Sequence, residues 1–470
     1  MTGDFVERAH ELDRLESALR DATDGVPQIL VVAADAGVGK TRLLSEFVAR
    51  VRGRVLWGAC LPMGGRGLPF APVVQALRTL DDDPHSAAQV PAALVPRAAD
   101  GEEIADPVIS RSQLFQTILR LLEHLAEQQP TILVLEDLHW ADPSTRDLLT
   151  FITANLWDQR LLIIVSYRTD DVGREHPLRP VLAELGRHPH AQRLDLQQFT
   201  PAQVAAQLGH LTGRRSSPRT IDRVVGRTQG NAFFVEELVA AGLGSRDLPT
   251  SLRELLLMRA DVVSPQARRL LRIASLSEST VGDAMLVRVS GLPLPEVRDH
   301  LHEAIDAKLL EATPTGVRFR HALVREALQH DLLAGERREY HAAFARALHD
   351  DPTDSGGTEL AYHLQEAGEV AEAMTAWVAA ADAAEAVFAF AEAHQHLASA
   401  LAAWDAVDHP ERRAGCTRVQ LLARAAEDAF LGGEAERACA LVTDAIDHLR
   451  RDHRPVAVGH PARAAGPLPA

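Results

Sequence analysis

Two kinds of hydrophobic pattern divide this chain near residue 200. Before it, strand candidates at Gln28–Ala33, Arg54–Cys60, Thr131–Glu136, Leu161–Arg168 and Gln192–Leu196, the first, third and fourth built on continuous apolar runs, are separated by stretches whose apolar residues recur every three or four positions. A continuous β-branched run predicts a strand buried on both faces. The spacing of Leu43, Leu44, Phe47, Val48 and Val51 predicts an amphipathic helix, as does that of Leu114, Ile118, Leu121 and Leu122 within Arg111–Gln128. Alternation of the two predicts right-handed βαβ units and a parallel sheet with helices on both faces. Asp81–Pro107, rich in Ala, Pro and Asp, reads as an exposed excursion between the second and third strands.

After residue 200 the strand signal fades. Thr200-Pro201-Ala202-Gln203 is a capping-box start for a helix ending near Gly213, and Gln229-Gly230-Asn231 breaks the chain before a helix at Phe233–Ala241. Short helices then lead into Lys308–Ala312, a Thr-Pro-Thr-Gly turn and Val317–His321, which together predict a winged helix with Pro295–Leu310 as its candidate recognition helix. From Glu359 to about Arg450 the chain is Ala-rich, with helix starts at Val370, Phe390 and Glu434. Small residues on helix faces predict close antiparallel packing of the tetratricopeptide kind, a plain bundle being the alternative. The Pro- and Gly-broken segment Asp452–Ala470 reads as disordered.

Chemistry concentrates where strands end. Ile29 to Leu44 runs from a strand through a small-residue turn into Gly39-Lys40-Thr41 and a helix. Small residues let successive backbone N–H groups curl around phosphates at a helix N-terminus, Lys40 supplies a cation to the β- and γ-phosphates, and Thr41 offers a hydroxyl to Mg²⁺. Ala34 stands where the usual pattern has Gly, and alanine enters a positive-φ turn only with strain. Glu136 and Asp137 close the third strand, one to hold Mg²⁺ and the other to orient or deprotonate water, with the order open. Arg168 closes the fourth, where it would sense the γ-phosphate; a strand-end Arg paired with Asp170 is the alternative.

Phe5-Val6-Glu7-Arg8 with Glu11-Leu12, Ala36-Gly37-Val38-Gly39-Lys40-Thr41, Leu135-Glu136-Asp137-Leu138-His139-Trp140-Ala141-Asp142, Tyr167-Arg168 and Gly230-Asn231-Ala232-Phe233-Phe234-Val235-Glu236-Glu237-Leu238 occur in that order. Together they resemble the signal-transduction ATPases with numerous domains, specifically the large ATP-binding LuxR-type regulators, and also origin-recognition-like AAA modules. The resemblance spans about residues 1–450. Glu7 and Ala232 depart from it, standing where the family has Gly and Pro near the adenine. It implies an α/β P-loop NTPase followed by an all-α lid, a winged helix and tetratricopeptide-like repeats. The implied limits are 1–199 for the ATPase core, 200–247 for the lid, 248–335 for the winged helix, 336–450 for the repeats and 451–470 for the tail. The implied nucleotide contacts are Arg8, Ala36, Gly37, Val38, Gly39, Lys40, Thr41 and Arg42; the metal set is Thr41, Glu136 and Asp137, and the catalytic set Glu136, Asp137 and Arg168. In such proteins the winged helix docks on the ATPase core and holds it shut. Phe233 and Phe234 read chiefly as core of the lid, and His321 as a solvated or core histidine rather than a nucleotide contact. The C-terminal helix-turn-helix of the LuxR type has no counterpart after Glu434.

Charge narrows the partners. With 65 acidic and 49 basic side chains the formal charge is −16, which works against a broad polyanion-binding surface. Glu296, Asp299, Glu303 and Asp306 on the candidate recognition helix would repel DNA phosphates. Three widely spaced cysteines lack a metal-ligand pattern, no run is apolar enough to cross a bilayer, and Met1-Thr2-Gly3-Asp4 begins no signal peptide, so a cytoplasmic location is expected. The expectation is an ATP/ADP switch with slow Mg²⁺-dependent hydrolysis, biased by an inducer or protein partner on the repeats. No DNA binding by the chain alone is expected, and an oligomer in the ATP state is left open. A DNA-associated loader and a nucleotide-insensitive scaffold stay as the other two classes.

Overall fold

The computed structural model describes residues 8–60, 68–80, 107–240, 256–257, 260–277, 280–350 and 357–452. The Phe5–Glu7 part of the opening motif, residues 81–106 of the excursion, the lid boundary near 247 and residues 453–470 of the tail lie outside them.

Five parallel strands form one sheet: β1 Gln28–Ala34, β2 Arg54–Ala59, β3 Thr131–Glu136, β4 Leu161–Arg168 and β5 Ala191–Asp195, in the order β2-β3-β4-β1-β5. Every residue of β1, β3 and β4 is buried, the outcome their unbroken apolar runs require. Side chains divide with period two. Leu30, Val32, Ile132, Val134, Leu162 and Ile164 pack with helices α1 (Ala9–Thr23) and α2 (Lys40–Arg50), while Ile29, Val31, Leu133, Leu135, Ile163 and Val165 face the other way. That second face is covered by α3 (Ala71–Arg78), α4 (Pro107–Gln128), α5 (Pro143–Ala154) and α6 (Leu178–Leu185). Each such side chain contributes about 1.5–3 kcal/mol when buried, so a one-residue slip of register would exchange the two faces and is strongly disfavoured. Insertion of β4 between β1 and β3 leaves a crevice at the carboxyl edge, where open α/β sheets bind ligands. Ala34 and Arg168 are register partners at that edge, and Glu136 ends the strand beyond them.

Helices α7 (Pro201–Thr212), α8 (Pro218–Thr228) and α9 (Ala232–Ala240) pack around Val204, Leu208, Val224, Val235 and Leu238 as a small lid. Thr200 and Gln203 make the reciprocal capping box. Next come α10 (Pro265–Ala274), α11 (Asp283–Ser290), α12 (Leu294–Asp306), an antiparallel hairpin of β6 (Leu310–Thr313) and β7 (Gly316–Phe319), and α13 (Ala322–Asp331), the arrangement of a winged helix. Here the structure corrects the sequence. The candidate recognition helix ends at Asp306, because Lys308 takes φ +59° and Leu310 already enters the hairpin. Glu303 of that helix, still partly exposed, also has a local structural job: its carboxylate accepts from Ser264 N (2.6 Å) and Oγ (2.7 Å), at the cap of α10.

The remaining helices are α14 (Ala334–His349), α15 (Gly357–Ala367), α16 (Val370–Ala386), α17 (Phe390–Ala403), α18 (Pro410–Ala414), α19 (Arg418–Leu431) and α20 (Ala435–Asp452). The long ones pack in succession, and buried Ala373, Ala376, Ala380, Ala381 and Ala384 on α16 let its neighbours approach closely. The array shares one apolar core with the helices on the second face of the sheet, whereas the winged helix has its own; α14 sends Ala345 into the first and Phe344 and Ala347 into the second. Among the described residues no helix is long and apolar enough to cross a membrane.

Candidate functional site

The phosphate loop, Asp35–Gly39, joins β1 to α2. Its positive φ values fall on Gly37 (+77°) and Gly39 (+102°), while Ala34 is the buried last residue of β1, so the missing first glycine costs no strain. Gly39 caps α2 with no side-chain acceptor, which leaves the first-turn N–H groups for an anion. Lys40 is buried and turned back on the loop, its Nζ donating to Ala34 O (3.0 Å) and Asp35 O (3.2 Å). Burial lowers its pKa, against the pull of Asp137. Thr41 and Arg42 open to solvent. Arg8 braces the loop from behind: it donates to Val38 O (3.2 Å) and Gln197 O (2.8 Å), pairs with Glu11 at 3.0 Å and lies over the Phe199 ring.

Glu136 is buried, and its carboxyl is raised to about 7, first by burial and then by Asp137, with hydrogen bonds to Thr41 and Trp57 opposing. Its Oε1 has no hydrogen-bond partner among the described residues. Asp137 adopts φ +53° and its N–H donates to Ser166 Oγ (3.1 Å). Burial raises its carboxyl as well, with Arg168 and Lys40 pulling it down. Arg168 does not take the Asp170 partner that sequence offered. Its Nη1 lies 3.6 Å from Asp171 and 3.5 Å from Glu326 of α13, and its guanidinium stacks on Trp140. Asp170 instead accepts from Ala36 N (3.4 Å).

His139, Trp140, Asp171 and Glu326 were not read from the sequence as parts of this site. The buried His139 ring accepts from Arg168 N at Nδ1 (3.3 Å), and Nε2 sits 3.3 Å from Asp171. Burial first, then Arg168 and Lys40, push its pKa down to about 3, so it stays neutral. The signal was in the Leu138–Asp142 run, whose aromatic pair directly follows the two acids.

The lid closes on the loop itself. Asn231 Nδ2 donates to Ala36 O (2.8 Å) and Phe233 N to Gly37 O (3.1 Å), while Asn231 Oδ1 accepts from Phe233 N (3.2 Å) and Phe234 N (3.3 Å). Gly230, at φ +78°, is required: a Cβ there would meet Phe199 O at 2.2 Å. Phe233 is buried in the winged-helix core with its ring 4.3 Å from that of His321, and Arg320 pairs with Glu236 at 3.1 Å. The lid thus touches the loop on one side and the winged helix on the other.

These residues fit a nucleotide with a divalent cation. The uncapped helix start and Lys40 suit phosphates, and the unpartnered Glu136 Oε1 beside Thr41 suits a metal. Among the described residues no group of three His, Cys, Asp or Glu could hold a metal ion.

Residues 4–164 match the AAA ATPase domain family. The chain is 25% identical over 509 residues to an uncharacterized protein of Rhizobium meliloti (strain 1021), covering 96% of this chain and 48% of that protein, so it spans about half of the relative's length. Among solved structures it is similar to the signal transduction ATPase with numerous domains and a tetratricopeptide repeat sensor from Pyrococcus horikoshii, at 14% identity and a TM-score of 0.52, covering 96% of this chain and 65% of that one. Similarity to the ORC1 protein of Aeropyrum pernix, solved with DNA, is 16% in identity with a TM-score of 0.35, covering 70% of this chain and 94% of that one. Residues 4–164 therefore carry an AAA ATPase domain on a P-loop sheet, and the chain continues into a mostly helical part in the fold of that Pyrococcus protein.

Proposed function

We propose that the protein is an ATP-dependent signalling switch of the LuxR-regulator type, with slow Mg²⁺-dependent hydrolysis. The observation that carries this reading is the closure of the lid on the phosphate loop, through Phe233 N on Gly37 O, together with the seating of the winged helix on Arg168 through Glu326. A nucleotide that alters the loop must alter these contacts, which is the differential interaction a two-state switch needs.

In this reading the backbone of Ala36–Arg42 cradles the phosphates and Lys40 serves the β- and γ-phosphates. Thr41 and Glu136 hold Mg²⁺, because their side chains already meet. Asp137, facing Lys40 and Arg168, orients and deprotonates water. Arg168 reads the γ-phosphate and passes its state to Glu326. Arg8 positions the loop. The winged helix serves as an internal clamp rather than a DNA reader, since Glu296, Asp299 and Asp306 are exposed on α12. An inducer or protein partner acts on the helical array, and oligomers form in the ATP state, in the cytoplasm. The division at 199, 247, 335 and 450 belongs to the same proposal.

The test is nucleotide content and affinity. The purified chain should retain adenine nucleotide, and Lys40→Ala should weaken ATP binding strongly without unfolding the protein. Near-equal affinity in the two would sink the assignment and favour a nucleotide-insensitive scaffold.

A further inference from the structure

We propose that Glu392 of the helical array, seated on the Asp142 turn, is the contact through which the array governs nucleotide exchange, a step that rests on the ATP reading above. The array meets the ATPase core at the start of α5, whose N-cap is Asp142. Glu392 comes from the first turn of α17, and its Oε1 accepts from Ser144 N (2.9 Å) and its Oε2 from Ser144 Oγ (2.8 Å). Glu392, Ser144 and Thr145 are each 0% exposed and Asp142 4%. A carboxyl from a segment 248 positions away therefore completes the cap of a helix in the core.

Hydrogen-bond counting places the single proton this acid pair needs. Asp142 Oδ1 accepts from Phe70 N (3.1 Å) and Thr145 N (2.8 Å), and Oδ2 from Thr145 Oγ1 (2.6 Å), so it is the ionised member. Glu392 also bonds Asp142 and must donate there; its carboxyl is pushed up by burial and by the Asp142 charge. Two facing acids sharing a proton are an expensive way to glue an apolar interface that Ala393, Leu397 and Leu148 already provide. Breaking such a contact is correspondingly easy to couple to an event elsewhere.

The nucleotide site lies at the other end of a short strap. Asp137 is bound to Ser166, His139 to the backbone of Arg168, Trp140 to its guanidinium, and Asp142 to Glu392. The strap is buried at Leu138, His139, Ala141 and Asp142, so it moves as a unit. A local shift of α17 at this seam, with the shared core intact, withdraws Glu392, loosens the first turn of α5 and frees Asp137 and Arg168 to shift.

The experiment uses the full chain, with release of a fluorescent N-methylanthraniloyl ADP followed by stopped flow and hydrogen exchange followed by mass spectrometry. Glu392→Ala should release the nucleotide roughly fivefold faster or more and raise deuterium uptake over 137–146. Glu392→Gln keeps an acceptor for Ser144 and a donor for Asp142, and should release at the wild-type rate. Ser144→Ala, a milder change that leaves the Asp142 cap intact, should fall between them and serves if Glu392→Ala does not fold. Wild-type release in Glu392→Ala or, failing that, in Ser144→Ala would overturn the proposal, leaving only a structural contact. So would equal acceleration by Gln and Ala. If the wild type binds no nucleotide, the ATP reading falls, and governance of exchange falls with it; the uptake arm then judges the contact alone.

Discussion

Replacing Gly37 by alanine separates backbone strain from lid packing at one position. At φ +77° a Cβ costs about 1–2 kcal/mol in a left-handed conformation. The same Cβ would sit 2.7 Å from Asn231 Oδ1 and 3.1 Å from Phe233 Cβ, so the lid must retreat. Retreat stretches the bonds from Asn231 Nδ2 to Ala36 O and from Phe233 N to Gly37 O, each worth about 0.5–1.5 kcal/mol net. The sum is roughly 2–5 kcal/mol, of which 1–3 belongs to the lid. Gly39→Ala is the control: its φ is +102° but nothing lies within 4 Å of the added Cβ, so it bears the conformational cost alone. Urea unfolding should show both variants destabilised, whereas hydrogen exchange over 231–240 should rise only in Gly37→Ala. Equal lid protection in the two variants would refute the view that direct packing on the loop holds the lid closed.

Single amide substitutions at Glu136 and Asp137 should each slow hydrolysis, and Asp137→Asn should keep ATP binding; wild-type turnover in both would leave the pair as mere strand-end acids. His341, fully buried with its Nδ1 2.8 Å from that of His363, has its pKa pushed down to about 3 from 6.5, chiefly by burial. The unfolded chain binds that proton first, so the stability is present above about pH 6.5 and lost as pH falls toward 3, by up to roughly 5 kcal/mol. Acid titration of folding should be shallower in His341→Phe, and an unchanged slope would disprove the assignment. The chain alone should show no sequence-specific duplex binding at physiological salt, with or without ATP; a salt-sensitive, sequence-selective shift of duplex mobility would overturn this.

What could be read in the sequence follows from where its physics is local. β1, β3 and β4 are buried on both faces, so their apolar runs mark them unmistakably, and a phosphate loop is a strand-turn-helix feature contained within sixteen residues of chain, Ile29 to Leu44. Partners distant in sequence left no such trace. Arg168 faces Asp171 and Glu326 rather than the adjacent Asp170, because the turn after β4 points Asp170 at Ala36 N. Phe390-Ala391-Glu392 read only as an ordinary helix start, since nothing local marks an acid destined for Ser144. The end of α12 was misplaced because Leu309 and Leu310 continue its apolar spacing, while the left-handed Lys308 that stops it has no glycine to announce it.

The division of apolar cores assigns mechanical parts. One core runs from the sheet's second face through the array, so those regions should melt together and travel together, whereas the winged helix is a separate rigid piece inserted between them in sequence. Helix α14 is the axle common to both, with Ala345 turned to one core and Phe344 and Ala347 to the other. Parting the winged helix from Arg168 therefore requires opening neither core.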